Sequence, residues 1–228
     1  MTSQCGQDRF VLELLGGMRG GFFLDSGASD GVTVSNTHLL ETGYGWTGIC
    51  VEPNQTFFAE LVKNRRCHCV NCCLYDRGGE VDFVEWAGTL GGILAEYHPT
   101  HLRYATASFH GAGDSAGAPA TVRRPARTVR SVLREFGAPP VVDYWSLDTE
   151  GSELAILKSY PFDEYPVRVL TVEHNWLPVR EEIRAFLASR GYSWVRQLGI
   201  DDCYALGRCL PQPAWRSGAW THRRPVPL

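Results

Sequence analysis

Residues 22–31, Phe-Phe-Leu-Asp-Ser-Gly-Ala-Ser-Asp-Gly, carry an apolar run into an acid and then into a tight glycine turn. Twenty-one residues past Gly31, a second apolar run, Thr47-Gly-Ile-Cys-Val, ends in Glu52-Pro53-Asn54. Doubly wound α/β proteins hold adenosine-bearing ligands with a strand, a glycine turn, a helix and a second strand tipped with an acid. The turn lets backbone approach the ligand, and the distal carboxylate accepts hydrogen bonds from both ribose hydroxyls. A glycine turn after a strand is by itself a common connection. Glu52 at this spacing is what gives the turn chemical meaning.

The turn Asp25-Ser26-Gly27-Ala28-Ser29-Asp30-Gly31 departs from the three-glycine dinucleotide pattern, because Ser29 occupies the middle position. There the middle glycine makes room for a pyrophosphate. Asp25 and Asp30 also flank the turn with negative charge, which suits a cation better than an anion. A methionine-derived sulfonium cofactor, which has no pyrophosphate, fits these residues better than a nicotinamide dinucleotide does.

A second constellation is Tyr144-Trp-Ser-Leu-Asp148-Thr149-Glu150-Gly151-Ser152-Glu153. An apolar run delivers Asp148 to a strand's carboxyl end, where ligands of open α/β sheets bind. Glu150, Ser152 and Glu153 also read as helix caps and dipole partners. A third is Glu173-His174-Asn175, directly after Val167-Arg-Val-Leu-Thr-Val. His174 is a candidate general base for a hydroxyl acceptor. Alternatively, Asp148 and Glu173, with His174 as a further candidate ligand, could coordinate Mg²⁺ or another divalent cation that lowers the acceptor's pKa. Glu173 and Asn175 could also simply tie down loops. The fourth, Cys67-His68-Cys69-Val-Asn-Cys72-Cys73, invites a zinc reading. Alternation along a strand puts Cys67 and Cys69 on one face and Cys72 on the other, so buried free thiols explain the run better.

The elements that must position these groups alternate along the chain. Strands are expected near 22–26, 47–52, 68–74, 142–148, 167–173, 192–197 and 203–208, and helices near 7–15, 34–42, 55–64, 127–136, 152–159 and 179–190. That alternation predicts an α/β fold with a mostly parallel sheet covered on both faces. The connection after 192–197 is too short for a parallel crossover, so one of the last two strands should be antiparallel. Residues 105–126, rich in Ala, Gly and Ser, show no helical or strand period and are expected to form a lid or insert. The organisation predicted is one domain over 1–210 with a Pro-rich tail at 211–228.

The chain has 228 residues, 44% of them hydrophobic, and a net charge of −3. It is long enough for a substantial core. It offers no electrostatic case for nucleic acid or an anionic membrane. No apolar run approaches the roughly 20 residues that span a bilayer. The N-terminus lacks the marks of a signal peptide and the eight cysteines read as reduced thiols, so a cytoplasmic location is expected.

With Asp25–Gly31, Glu52-Pro53-Asn54 and Leu147-Asp148-Thr-Glu150-Gly151-Ser-Glu153-Leu in place, the chain resembles the FkbM-family S-adenosylmethionine-dependent methyltransferases. Ser3-Gln4, Gln7-Asp8-Arg9-Phe10, the run Asp30-Gly31-Val-Thr-Val-Ser35-Asn36-Thr37 and Trp46-Thr-Gly-Ile-Cys-Val-Glu52 belong to the same likeness, which spans about residues 3–208. The resemblance implies a class I methyltransferase (Rossmann-like) sheet of seven strands with an antiparallel last strand inserted beside its neighbour. By this likeness Asp25, Gly27 and Ala28 line the cofactor's methionine half, with Ser35 and Asn36 close by, and Ser29 and Asp30 complete the turn. Glu52 would hold the ribose, Pro53 and Asn54 would border the adenine, and Cys73, Leu74 and Tyr75 would close its other side. Gln7 would reach the cofactor from above. The implied activity is O-methylation of a small molecule or sugar, and Asp148, Glu173 and His174 stay the catalytic candidates on the chemistry of their own residues. The partner expected is a small-molecule or carbohydrate acceptor, with no nucleic acid or membrane, and a homo-oligomer remains open. The competing readings are a non-catalytic cofactor-binding module and a nicotinamide-dependent oxidoreductase.

Overall fold

The structure is a computed structural model that describes residues 3–110 and 120–207. In chain order the strands are β1 (Phe22–Ser26), β2 (Thr47–Val51), β3 (His68–Val70), β4 (Cys73–Leu74), β5 (Gly79–Phe83), β6 (Val122–Arg127), β7 (Val142–Leu147), β8 (Val167–Glu173), β9 (Tyr192–Leu198) and β10 (Asp201–Leu206). The helices are α1 (Gln7–Leu14), α2 (His38–Tyr44), α3 (Gln55–Asn64), α4 (Pro99–His110), α5 (Val129–Glu135), α6 (Glu153–Ser159) and α7 (Val179–Ser189).

Seven strands form one sheet in the order β3-β2-β1-β7-β8-β10-β9. The pairs from β3 to β8 are parallel, while β10 is antiparallel to both β8 and β9. This is the class I methyltransferase arrangement expected. From β1 the chain steps outward to β2 and β3, then returns to β7 on the other side. Strand order therefore reverses between β1 and β7, which is where open α/β sheets bind ligands.

Both faces of the sheet are covered, so its central strands are apolar on alternate and opposite sides. Leu24, Trp145 and Leu170 pack with α5, α6 and α7 residues such as Val132, Ile156 and Ile183. Their strand neighbours Phe23, Tyr144 and Val169 pack against Phe10, Leu40 and Leu61 of α1, α2 and α3. Cys67 and Cys69 join the second cluster and Cys72 the first, as strand alternation requires. Among the described residues no helix is long and apolar enough to cross a membrane.

Four expectations need correction. The run 68–74 is not one strand: β3 ends at Val70, and the Asn71 side-chain amide donates to the carbonyls of Glu52 (2.7 Å) and Pro53 (3.2 Å). That turn redirects the chain into β4, which pairs with β6 in a second sheet of order β4-β6-β5. The segment 34–37 is not helical; Val34 is left-handed (φ 51°), and the Ser35 hydroxyl accepts from His38 N–H (3.1 Å) at the mouth of α2. Residues 105–126 are not uniformly irregular, because 105–110 complete α4 and 122–126 belong to β6. Residues 111–119 of that segment and the tail 211–228 lie outside the described residues. The last hairpin is tighter than expected, with Leu198 paired to Asp201 across Gly199-Ile200 and Gly199 at φ 59°.

Candidate active site

A cavity of about 650 Å³ opens at the carboxyl ends of the central strands, within the roughly 300–1,000 Å³ range of small-molecule sites. Asp25, Glu52, Asp148 and Glu173, at the tips of β1, β2, β7 and β8, all line it. Gly27, Ala28, Ser29, Ser35, Asn36, Pro53, Cys73 and Leu74 line it as well.

The β1 turn is tied to both neighbouring strands. The Val51 carbonyl accepts from Gly27 N–H (2.9 Å) and Ala28 N–H (3.1 Å). Gly27 is left-handed (φ 87°), and a Cβ there would sit 1.9 Å from the Asp148 carbonyl oxygen, so only glycine fits. Glu52 accepts from Ser29 N–H (2.8 Å) and Asn54 N–H (2.7 Å) with its two carboxylate oxygens. Burial pushes its carboxyl up to about 7, against the pull of those backbone donors. Asp25 accepts from the Thr37 hydroxyl at 2.5 Å. Burial raises its pKa, and the Arg65 guanidinium partly offsets that. The Asn36 amide donates to Ser146 Oγ (3.0 Å), leaving Asn36 Oδ1 buried without a partner in the cavity wall.

Oxygens of Asp148, Glu150 and Glu173 lie within 4.8 Å of one another. Burial raises both Asp148 and Glu173 well above the usual carboxylate range, with the charge of Glu150 adding to this at Asp148 and the charge of Asp148 adding to it at Glu173. Burial, followed by the charge of Glu153, pushes Glu150 up to about 8. Glu150 Oε2 lies 2.6 Å from His101 Nε2 and accepts from the Asn175 amide at 3.2 Å. Glu153 ties down the turn that leads into its own helix, accepting from Thr149 N–H (2.7 Å) and Gly151 N–H (3.0 Å). Adjacent buried carboxyls with raised pKa values are equipped to take a proton from a hydroxyl, and three such acids offer hard oxygen ligands.

Among the described residues five non-glycine residues are left-handed: Ser29, Val34, Glu150, Asn175 and Trp176. All five line this cavity. Each such backbone costs about 1–3 kcal/mol, and strain of this kind collects where function requires it. No sequence motif announced that convergence.

Five expected residues fall outside the wall. Gln7 is buried and donates to Asp201 Oδ2 (2.8 Å), so it braces β10 rather than reaching a ligand. Asp30 accepts from Val32 N–H (2.9 Å) and Thr33 N–H (2.7 Å) within its own loop. Asn54 caps α3 and donates to the Glu85 carbonyl (3.1 Å). The Tyr75 hydroxyl bonds Glu96. His174 is 3% exposed, and its Nδ1 accepts from Trp176 N–H at 3.0 Å. Burial and the charge of Arg180 press its pKa down to about 4, and it is not part of the cavity wall. That placement does not fit a general base.

Other residues were missed. His101 and Tyr104 reach the cavity from the first half of α4, just ahead of the 105–126 run that reads as irregular. The segment 88–93 also lines it; Gly88-Thr-Leu-Gly91-Gly92 is a readable turn signal. Arg65 donates to the Gly31 carbonyl (3.1 Å) and Thr37 Oγ1 (2.9 Å) and pairs with Glu41, clamping the loop that carries Ser35 and Asn36. Among the described residues the one group of three or more metal-competent side chains is the acid trio; the cysteine run forms none.

The Methyltransferase FkbM domain family matches residues 25–194. No curated protein matches the chain. Among solved structures, an FkbM methyltransferase from Methylobacillus flagellatus KT is 15% identical with a TM-score of 0.56, over 90% of this chain and 48% of that one. The chain thus spans about half the length of that protein. The METTL16 methyltransferase domain is 11% identical with a TM-score of 0.48, over 87% of this chain and 65% of that one. A putative RNA methyltransferase from Pyrococcus horikoshii is 14% identical with a TM-score of 0.43, over 89% and 83% of the two chains.

Proposed function

The chain belongs to the FkbM methyltransferase family, and from that premise we propose that it transfers the methyl group of S-adenosylmethionine to a hydroxyl of a small molecule or sugar. The observation that carries this reading is one cavity walled by acids from the tips of four adjacent strands. Asp25 and Glu52 stand at the tips of β1 and β2, and Asp148 and Glu173 at the tips of β7 and β8.

The wall residues fit the donor. Glu52 would accept from the ribose hydroxyls, with Pro53, Cys73 and Leu74 beside the adenine. Asp25, Gly27, Ala28 and Asn36 would surround the methionine portion. The unpartnered Asn36 Oδ1 calls for a donor, which an ammonium group supplies. When bound, S-adenosylmethionine supplies a methyl group already activated on a sulfonium. The chain's own task is to align an acceptor oxygen with that methyl and to take its proton. Alignment of two bound reactants is worth about 7–11 kcal/mol of barrier, and a positioned base adds about 10²–10⁴-fold in rate. The ionised carboxylate of Asp148 or Glu173 is the base in this reading.

A second reading of the same acids rests on their mutual spacing. Asp148, Glu150 and Glu173 fit a hard divalent cation such as Mg²⁺, which would lower the pKa of an acceptor hydroxyl. Activity that survives thorough chelation assigns the step to the acid pair; activity lost to chelator and restored by Mg²⁺ assigns it to the cation.

The wall's acids suit a small neutral acceptor better than a phosphate backbone, so nucleic acid and anionic membrane are not the partners proposed. Transfer of tritium from methyl-labelled S-adenosylmethionine tests the function. A methyl ether product, stable to mild base, supports it; an N-methyl product or a base-labile ester contradicts O-methylation of a hydroxyl.

A further inference from the structure

Trp176 is 64% exposed, stands at the mouth of the cavity and occupies a left-handed backbone position (φ 59°). It is the third residue of a tight turn in which Leu177 N–H donates to the His174 carbonyl at 2.7 Å and Asn175 is also left-handed (φ 45°). Turns with two left-handed centres favour glycine at this place, and a bulky indole there is out of pattern.

The residue is nonetheless held at its backbone and on two sides of its ring. Its own backbone N–H donates to His174 Nδ1 (3.0 Å), and the His174 ring meets the indole edge-on, with centroids 5.2 Å apart. The Arg180 guanidinium lies over the ring at 5.5 Å, itself fixed by Asp202 at 2.7 and 2.8 Å. An exposed side chain held by two ring contacts, on an unfavourable backbone that is itself hydrogen-bonded to His174, is not explained by core packing.

The surroundings define what it meets. Val34 and Tyr104, also exposed apolar side chains, line the same cavity. Among the described wall residues there is no lysine or arginine, while five carboxylic acids are present: Asp25, Glu52, Asp148, Glu150 and Glu173. Such a wall repels phosphate and carboxylate groups. Glu150 is already engaged by His101 Nε2 at 2.6 Å and by the Asn175 amide at 3.2 Å, which lessens the case for a cationic acceptor.

We propose that Trp176 is the acceptor-recognition residue of this cavity, stacking on the face of an uncharged, hydroxyl-bearing ring, and that His174 is its positioning residue. The proposal rests on the methyltransferase reading and adds the acceptor's chemistry to it. Sugars and phenols share the required ring chemistry, and the test separates them.

Calorimetry with S-adenosylhomocysteine comes first; if it fails to bind, the methyltransferase reading falls and this proposal with it. With binding established, tritium transfer is measured to methyl glycosides, phenols, a sugar phosphate, an amino sugar and an oligoribonucleotide. The best acceptor should be uncharged, and whether it is a glycoside or a phenol names the source. Trp176→Ala should raise its KM at least tenfold while kcat and S-adenosylhomocysteine affinity stay within twofold, and Trp176→Phe should restore most of the loss. In protein labelled with 5-fluorotryptophan, the Trp176 resonance, assigned by its loss in Trp176→Phe, should move when that acceptor is added. His174→Leu should shift the resonance toward that of a free indole, whereas His174→Asn, which offers an oxygen where Nδ1 stood, should keep it in place. Any one of three results overturns the proposal: a charged acceptor preferred over its uncharged counterpart, no transfer to any uncharged ring by protein that binds S-adenosylhomocysteine, or an unchanged KM in Trp176→Ala.

Discussion

Ser29 N–H donates to Glu52 Oε2 at 2.8 Å, and this bond fastens the turn after β1 to the tip of β2. Both residues belong to the cavity wall, so the turn and the acid twenty-three positions apart form one surface. The residue that departs from the three-glycine pattern thus contributes its backbone to holding the acid in place.

Gly27 is the steric key to that surface. Gly27→Ala places a methyl 1.9 Å from the Asp148 carbonyl on a left-handed backbone, so β1 and β7 must part. We expect a loss of more than about 3 kcal/mol in urea denaturation, together with loss of cofactor binding. Gly45→Ala is the control: it too is left-handed (φ 70°), but nothing lies within 4 Å, and it should cost only about 1–2 kcal/mol.

Glu52 predicts two opposite pH trends. Its carboxyl titrates near 4.5 when unperturbed and at about 7 in the fold, where burial disfavours the charge. Between those values the unfolded chain has released the proton and the folded chain retains it. Stability contributed by this group therefore falls as pH rises through that window, by up to about 3 kcal/mol. Glu52→Gln should flatten that part of the profile in denaturant melts. Affinity for S-adenosylhomocysteine should rise as pH passes 7, because the ionised carboxylate is the better acceptor for ribose hydroxyls.

How much of this was readable in the sequence depended on how local each determinant is. The strand, turn and acid of Asp25–Glu52 were legible because two apolar runs and their spacing set them. Asp148 and Glu173 were legible for the same reason, each ending a strand that the sheet brings to the switch point. The division of 68–74 between two sheets was not, since it depends on the Asn71 amide finding the carbonyls of Glu52 and Pro53. His101 was missed because α4 carries small residues such as Ala105 and Ala107 that resemble a loop. It enters the site only through its contact with Glu150, forty-nine positions away. His174 was misread because its neighbour, not its own chemistry, determines where its Nδ1 points.

Arg65 clamps the loop from Gly31 to Thr37, and its charge offsets the burial of Asp25. Arg65→Met should cost about 3–5 kcal/mol, as expected when one partner of a buried charged group is removed. Urea melts measure this, and a loss under 1 kcal/mol would show the clamp to be dispensable.

Glu173→Gln and Asp148→Asn should each lower kcat by about 10²–10⁴-fold. Glu173→Gln should leave S-adenosylhomocysteine affinity within about threefold, since the side chain acts on the acceptor's proton. Single-turnover kinetics beside calorimetry separate the two effects. A variant impaired equally in both would make Glu173 a structural residue.

The central claim is that the tips of β1 and β2 grip one adenosyl ligand, and titration calorimetry with S-adenosylhomocysteine addresses it most directly. The wild-type protein should bind at one site, and Glu52→Ala should weaken binding at least about tenfold, the loss of one or two charge-assisted hydrogen bonds. Trp176→Ala should bind as the wild type does. No heat of binding by the folded wild-type protein, or equal affinity in Glu52→Ala, would contradict the account.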